Sequence, residues 1–305
     1  MNRSSGINSR NEFDVTKQLF HFSLLTHTNS AYFRNSTHVN FDEVINYLKI
    51  DSFDIYSKNL YDDSDLTISS LIAQIKEVFN FARGVFRLRK IVINNSDPSF
   101  KQGMRHLLID VSTVLSLSIF YFLSILRLKP FRIFVKMLLR QSNISAGHVQ
   151  LMQNAVWRGD KYLLILEDDF HLSNLTSLKS QLNFVLEVLE NNPHLMLINL
   201  SESFTNEELG HYGFVQNNFT SPNHSELIVS CLPHPVTNTV CATIYRTDFL
   251  ILLTRELRLM DEISLIPIDH KINIALMKLI KRGSLNVDCY ATLVPGLFIQ
   301  GSLHG

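Results

Sequence analysis

Three consecutive carboxylates, Glu167, Asp168 and Asp169, follow directly on an apolar run in the stretch YLLILEDDFHL at residues 162–172. Three adjacent acids repel one another, and a divalent cation relieves that repulsion. Hard cations such as Mg²⁺ and Mn²⁺ prefer oxygen ligands. Alternate side chains of an extended chain point the same way, so Glu167 and Asp169 can share one ion while Asp168 faces elsewhere. The competing reading is a polar loop that ends a strand and does no chemistry.

The apolar run before the acids is what must position them. A continuous apolar run of this length, bounded by polar residues, fits a buried strand of an α/β sheet. In such sheets ligands bind in the crevice beyond the carboxyl ends of the strands. Residues 18–26, 52–56, 195–200, 227–232, 240–245, 285–293 and 297–300 read as further strands, and 90–94 as a short strand or extended segment. Helical spacing of apolar residues marks 41–50, 66–85, 143–157, 175–189, 247–258 and 270–280. Ser145 is expected to cap the helix that leads into the acidic strand. Residues 202–225 read as a polar, aromatic loop. The opening order of strand, loop, helix and strand is what a nucleotide-binding α/β half needs.

The chain has 305 residues and a formal net charge of zero. That length fits one large α/β domain or two small ones. The charge balance carries no global nucleic-acid signature, so no nucleic-acid partner is expected. The charge is unevenly spread, with eleven Lys/Arg against two acids over residues 81–140 and eight acids against three Lys over 41–80. The basic block suits an anionic surface or ligand, or else a solvated, internally paired face. Three cysteines, Cys231, Cys241 and Cys289, form no CxxC pair and point to a reducing compartment. Residues 1–15 are polar, are expected to be a disordered tail, and carry no signal-peptide core. The expected location is cytoplasmic. There is no GxGxxG, Walker loop or HExxH, and so no phosphate-cradling glycine loop of the phosphotransferase kind.

Residues 111–126 form the most hydrophobic stretch, without a charge, and the basic segment RLKPFRIFVKMLLR follows. Three readings stand: a buried core helix, an interfacial contact with the inner face of the membrane through 111–140, and a spanning helix. Pro130 argues against one continuous long helix.

Three pieces together resemble a known family: SAGHVQLMQNAVWRGDKYLLILEDDF, then VCATIYRTDFLILLTREL with IPIDHKINIALMK, and finally VPGLFIQGSLHG. Residues 143–305 are similar to glycosyltransferase family 25, the lipooligosaccharide-type glycosyltransferases. The resemblance implies a GT-A-like fold, a Rossmann-type mixed α/β sheet flanked by helices. Here it would occupy residues 16–305 as a single domain, with a helical basic and apolar insertion around 81–140.

The family implies a nucleotide-sugar donor, a UDP-sugar first among them. It also implies a divalent metal, Mn²⁺ or Mg²⁺, and transfer of a sugar to the hydroxyl of a glycan acceptor in lipopolysaccharide-type synthesis. A diphosphate leaving group needs neutralising, and Glu167 and Asp169 would hold the metal with Asp168 shared between ribose and metal. An acceptor hydroxyl needs a base if configuration inverts, and Asp269 at a helix start is the candidate; a plain N-cap after Pro267 is the alternative. His304 is the candidate third metal ligand, or a terminal residue with no role. His148 is either a donor contact or a satisfied core histidine. Arg34 is the loosest carry-over, toward the donor phosphates. The alternative function is a binding or membrane-peripheral scaffold of the same fold that has lost catalysis.

Overall fold

The computed structural model describes residues 20–26, 38–50, 53–57, 59–65, 132–172, 175–202, 217–220, 226–232, 240–258 and 266–300, with single positions between 67 and 123 and at 263. The expected tail at 1–15, the segment 90–94, Arg34 and His304 lie outside the described residues.

β1 (Phe20–Leu25), α1 (His38–Leu48) and β2 (Phe53–Tyr56) form the opening unit, with β1 and β2 parallel. Phe41, Val44, Ile45 and Leu48 recur at helical spacing in α1, and all four are buried. Each such side chain contributes about 1.5–3 kcal/mol when withdrawn from water. α2 (Arg132–Arg158) then leads through Gly159 into β3 (Tyr162–Glu167), which pairs parallel with β1 on the side opposite β2.

The rest of the chain supplies β4 (Phe170–Leu172), α3 (Leu178–Asn191), β5 (Leu197–Asn199), β6 (Asn217–Thr220) and β7 (Ile228–Leu232). β8 (Ala242–Arg246), α4 (Thr247–Arg258), α5 (Ile268–Lys281), β9 (Tyr290–Val294) and β10 (Phe298–Gln300) complete it. Eight strands form one mixed sheet in the order β2-β1-β3-β8-β5-β9-β7-β6, and β4 pairs antiparallel with β10 in a small second sheet. The result is a Rossmann-like α/β architecture. One sheet face, with Phe22, Leu24, Leu164 and Leu166, packs on α1 and α3. The other, with Leu163, Ile165, Tyr245 and Tyr290, packs on α2, α4 and α5. Cys231, Cys241 and Cys289 are buried and form no disulfide.

Several expectations are corrected. Ser145 caps nothing, because α2 begins at Arg132 and carries Ser145 in its interior. The polar triplet at 141–143 does not break the helix. The Ser142 hydroxyl donates back to the Leu138 carbonyl at 2.8 Å, and Asn143 serves the loop after β2 instead of ending a turn. Asn143 Oδ1 accepts the Leu60 and Tyr61 N–H groups at 2.7 and 2.9 Å. The loop expected over 202–225 contains β6, which pairs with β7 along the sheet edge. The late strand starts at Tyr290 and not at 285, because Gly283 at φ 72° closes α5 and turns occupy the residues before it.

Among the described positions of the long apolar segment, Ser112, Leu115, Ser116, Ile119 and Leu123 are helical, and Leu115 and Ile119 are 60% and 52% exposed. Among the described residues no helix is long and apolar enough to cross a membrane.

Candidate active site at the ends of the first and third strands

β1 sends its chain one way to β2, while β3 joins on the other side, so the strand order reverses between β1 and β3. Connections that diverge leave a crevice at the carboxyl ends of the two strands, the place where open α/β sheets bind ligands. Thr26 follows β1 there, and Glu167 ends β3 there.

The three acids leave the strand in three directions. Glu167 is the last strand residue, and its Oε1 lies 3.0 Å from Nε2 of His148 on α2. Asp168 Oδ2 accepts the Thr26 hydroxyl at 3.0 Å. Asp169 Oδ2 accepts Gln300 Nε2 from β10 at 3.4 Å. The alternation expected from an extended chain stops at Glu167, because Asp168 and Asp169 form the turn into β4. Asp168 and Asp169 are both buried, and Asp169 Oδ1 has no hydrogen-bond partner among the described residues.

The β4–β10 pair holds this turn in place. Phe170 and Phe298 meet edge to face with centroids 5.7 Å apart. Gly296 lets the approach to β10 press on the 201–202 backbone: a Cβ there would come within 2.3 Å of the Glu202 nitrogen. On the other side, Gly147 lets α2 lie on the end of β1, where a Cβ would meet Leu25 Cδ1 at 2.4 Å and the Tyr56 ring at 3.3 Å. That close approach brings the next residue, His148, to the level of Glu167.

Asp269 sits in the first turn of α5, on the sheet face that also carries Glu167. Pro267 occupies the N-cap position, so Asp269 is not the cap, although its Oδ1 accepts the His270 N–H at 2.9 Å. Its charge and that of Asp169 both act on Glu167, so the three carboxylates share one neighbourhood. Burial raises the Glu167 pKa above the usual carboxylate value; His148 opposes the rise, and Asp169 and Asp269 add to it. Burial likewise raises Asp269, against the lowering influence of the His270 charge and N–H and of His148. Burial wins in both cases because a charge in a low-dielectric interior loses more hydration than one partner returns.

Glu167, Asp168, Asp169, His148 and Asp269 are thus brought together. Thr26 and Gln300 belong to the site, and Gln300 carries no local sequence signal as a site residue. A strand-end Thr in the first α/β unit is the one hint for Thr26.

Among the described residues no group of three or more His, Cys, Asp or Glu side chains is arranged to hold a metal ion. Mg²⁺ needs fewer protein ligands than that when it binds through one or two carboxylates plus substrate phosphates and water. The free, buried Oδ1 of Asp169, with Glu167 within its electrostatic reach, fits that mode. No protein-family model matches the chain, and no curated protein matches it in sequence.

Proposed function

We propose that the protein is a metal-dependent glycosyltransferase of GT-A type that moves a sugar from a nucleotide-sugar donor to an acceptor hydroxyl of a cell-surface glycan. The observation that carries the reading is the gathering of Asp168, Asp169, Glu167 and Asp269 at the strand-order switch point. The family-25 resemblance of residues 143–305 gives those acids their roles.

Asp169, through its buried Oδ1 that lacks a hydrogen-bond partner among the described residues, and Glu167 are the residues that would hold a divalent cation. When bound, such a cation neutralises the charge on a departing diphosphate. Asp168, fixed by Thr26, faces the donor ribose. His148 holds the Glu167 carboxylate in one orientation, as second partners of ligating groups commonly do. Asp269 takes the proton of the attacking hydroxyl. Its raised pKa makes it a stronger base than an exposed carboxylate.

A thermal-shift titration tests the reading without needing the acceptor. Nucleoside diphosphates with Mn²⁺ raise Tm by several degrees at saturating concentration, because they bind the folded state alone. Absence of a shift with every nucleoside diphosphate plus Mn²⁺ overturns it.

A further inference from the structure

α2 is longer than the strand it serves. It has 27 residues, about 40 Å of helix, against six residues in β3. α2 runs into β3 through a short turn, so the two are antiparallel and the start of α2 lies on the side of the strands' carboxyl ends. His148 is level with Glu167, so residues 132–147 continue past the crevice for about 24 Å.

The outer part of this arm has one exposed face. Ile133 and Met137 are 61% and 53% exposed, and Lys136 and Arg140 are exposed beside them. The four fall at helical spacing of three and four, so they share a surface. From residue 111 to 159 the sequence has six Lys/Arg and no Asp or Glu, so the arm has no acidic partner of its own. Exposed apolar side chains interleaved with cations on one helix face suit the boundary between headgroups and acyl chains of an anionic bilayer.

We infer that the first turns of α2 dock the protein on an anionic lipid surface. The apolar pair enters the headgroup boundary, and Lys136 and Arg140 meet phosphate groups. Docking stands on the arm alone. Its consequence, that the crevice faces the lipid and the acceptor hydroxyl is reached from the membrane surface, rests on the glycosyl-transfer reading.

Flotation of the full chain with vesicles of phosphatidylcholine, alone or mixed with phosphatidylglycerol, tests the inference. The protein floats with the anionic vesicles at low salt, and the bound fraction falls as salt screens the charges. The pair Lys136→Glu and Arg140→Glu lowers the affinity by about tenfold or more. The pair Ile133→Asn and Met137→Asn lowers it at both salt concentrations, with unchanged Tm. Equal binding by wild type and both double variants, or no flotation with anionic vesicles, overturns the inference. So does a concentration-dependent dimer that buries this face and leaves the vesicles unbound. Loss of flotation with the nucleotide thermal shift intact sinks docking alone. Flotation without any nucleotide shift sinks the functional reading alone.

Discussion

The fold resists a charge on Asp269. Its folded pKa lies above the ordinary value of 3.8, with burial as the main cause. For a raised carboxylate the stabilising contribution is that of the protonated form. It is fully present below the unfolded pKa and is lost as pH rises through the folded one. Asp269→Asn keeps the acceptor for the His270 N–H and removes the charge. The variant is expected to melt at the same temperature as wild type or higher at neutral pH, with the difference shrinking as pH falls. Sugar transfer should drop by about 10²–10⁴-fold, the usual contribution of a positioned base. Melting curves from acidic to neutral pH and initial rates check the two halves. In wild type the acid limb of the rate profile lies above the range of an exposed carboxylate. At this scale the sequence singled out Glu167, Asp168 and Asp169 as acids at a strand end. It did not reveal what holds them, because Thr26 and Gln300 stand 142 and 131 residues from their carboxylate partners, and only the topology brings them in.

Two glycines govern how closely the elements around the site approach. At Gly147 an added Cβ meets buried Leu25 and the Tyr56 ring, so Gly147→Ala should cost about 1–3 kcal/mol. At Gly296 the added Cβ meets main-chain atoms of residues 201 and 202, which have no rotamer to escape into. Gly296→Ala should therefore reach or exceed the upper end of about 1–3 kcal/mol. It should also weaken nucleotide binding, since it shifts β10 and with it Gln300. Urea denaturation and nucleotide titration separate the two effects. The long apolar strands and amphipathic helices were legible in the sequence, because burial on one or both faces writes a clear period. β4 and β6 have three and four residues, too few to show one. The start of α2 was misplaced because Ser145 looks like a cap, and its burial inside a continuous helix depends on packing that the local sequence does not contain.

For the whole molecule, the sheet puts the acids at the reversal of strand order, and α2 extends past them as a basic, apolar arm. The α/β class and the strand-end position of the acids followed from the sequence. The place of Asp269 beside them was expected only through the family resemblance, because it depends on α5 packing over the same sheet face as α2. The central claim is that this cluster handles a nucleotide-sugar donor with a divalent ion. Release of nucleoside diphosphate from a panel of nucleotide sugars, with and without Mn²⁺, tests it most directly in wild type and Asp169→Asn. Release from at least one donor should require Mn²⁺ or Mg²⁺ and should fall by about a hundredfold or more in the variant, since several kcal/mol of charge stabilisation is lost. No release from any donor, or release that persists unchanged in Asp169→Asn, would contradict the account.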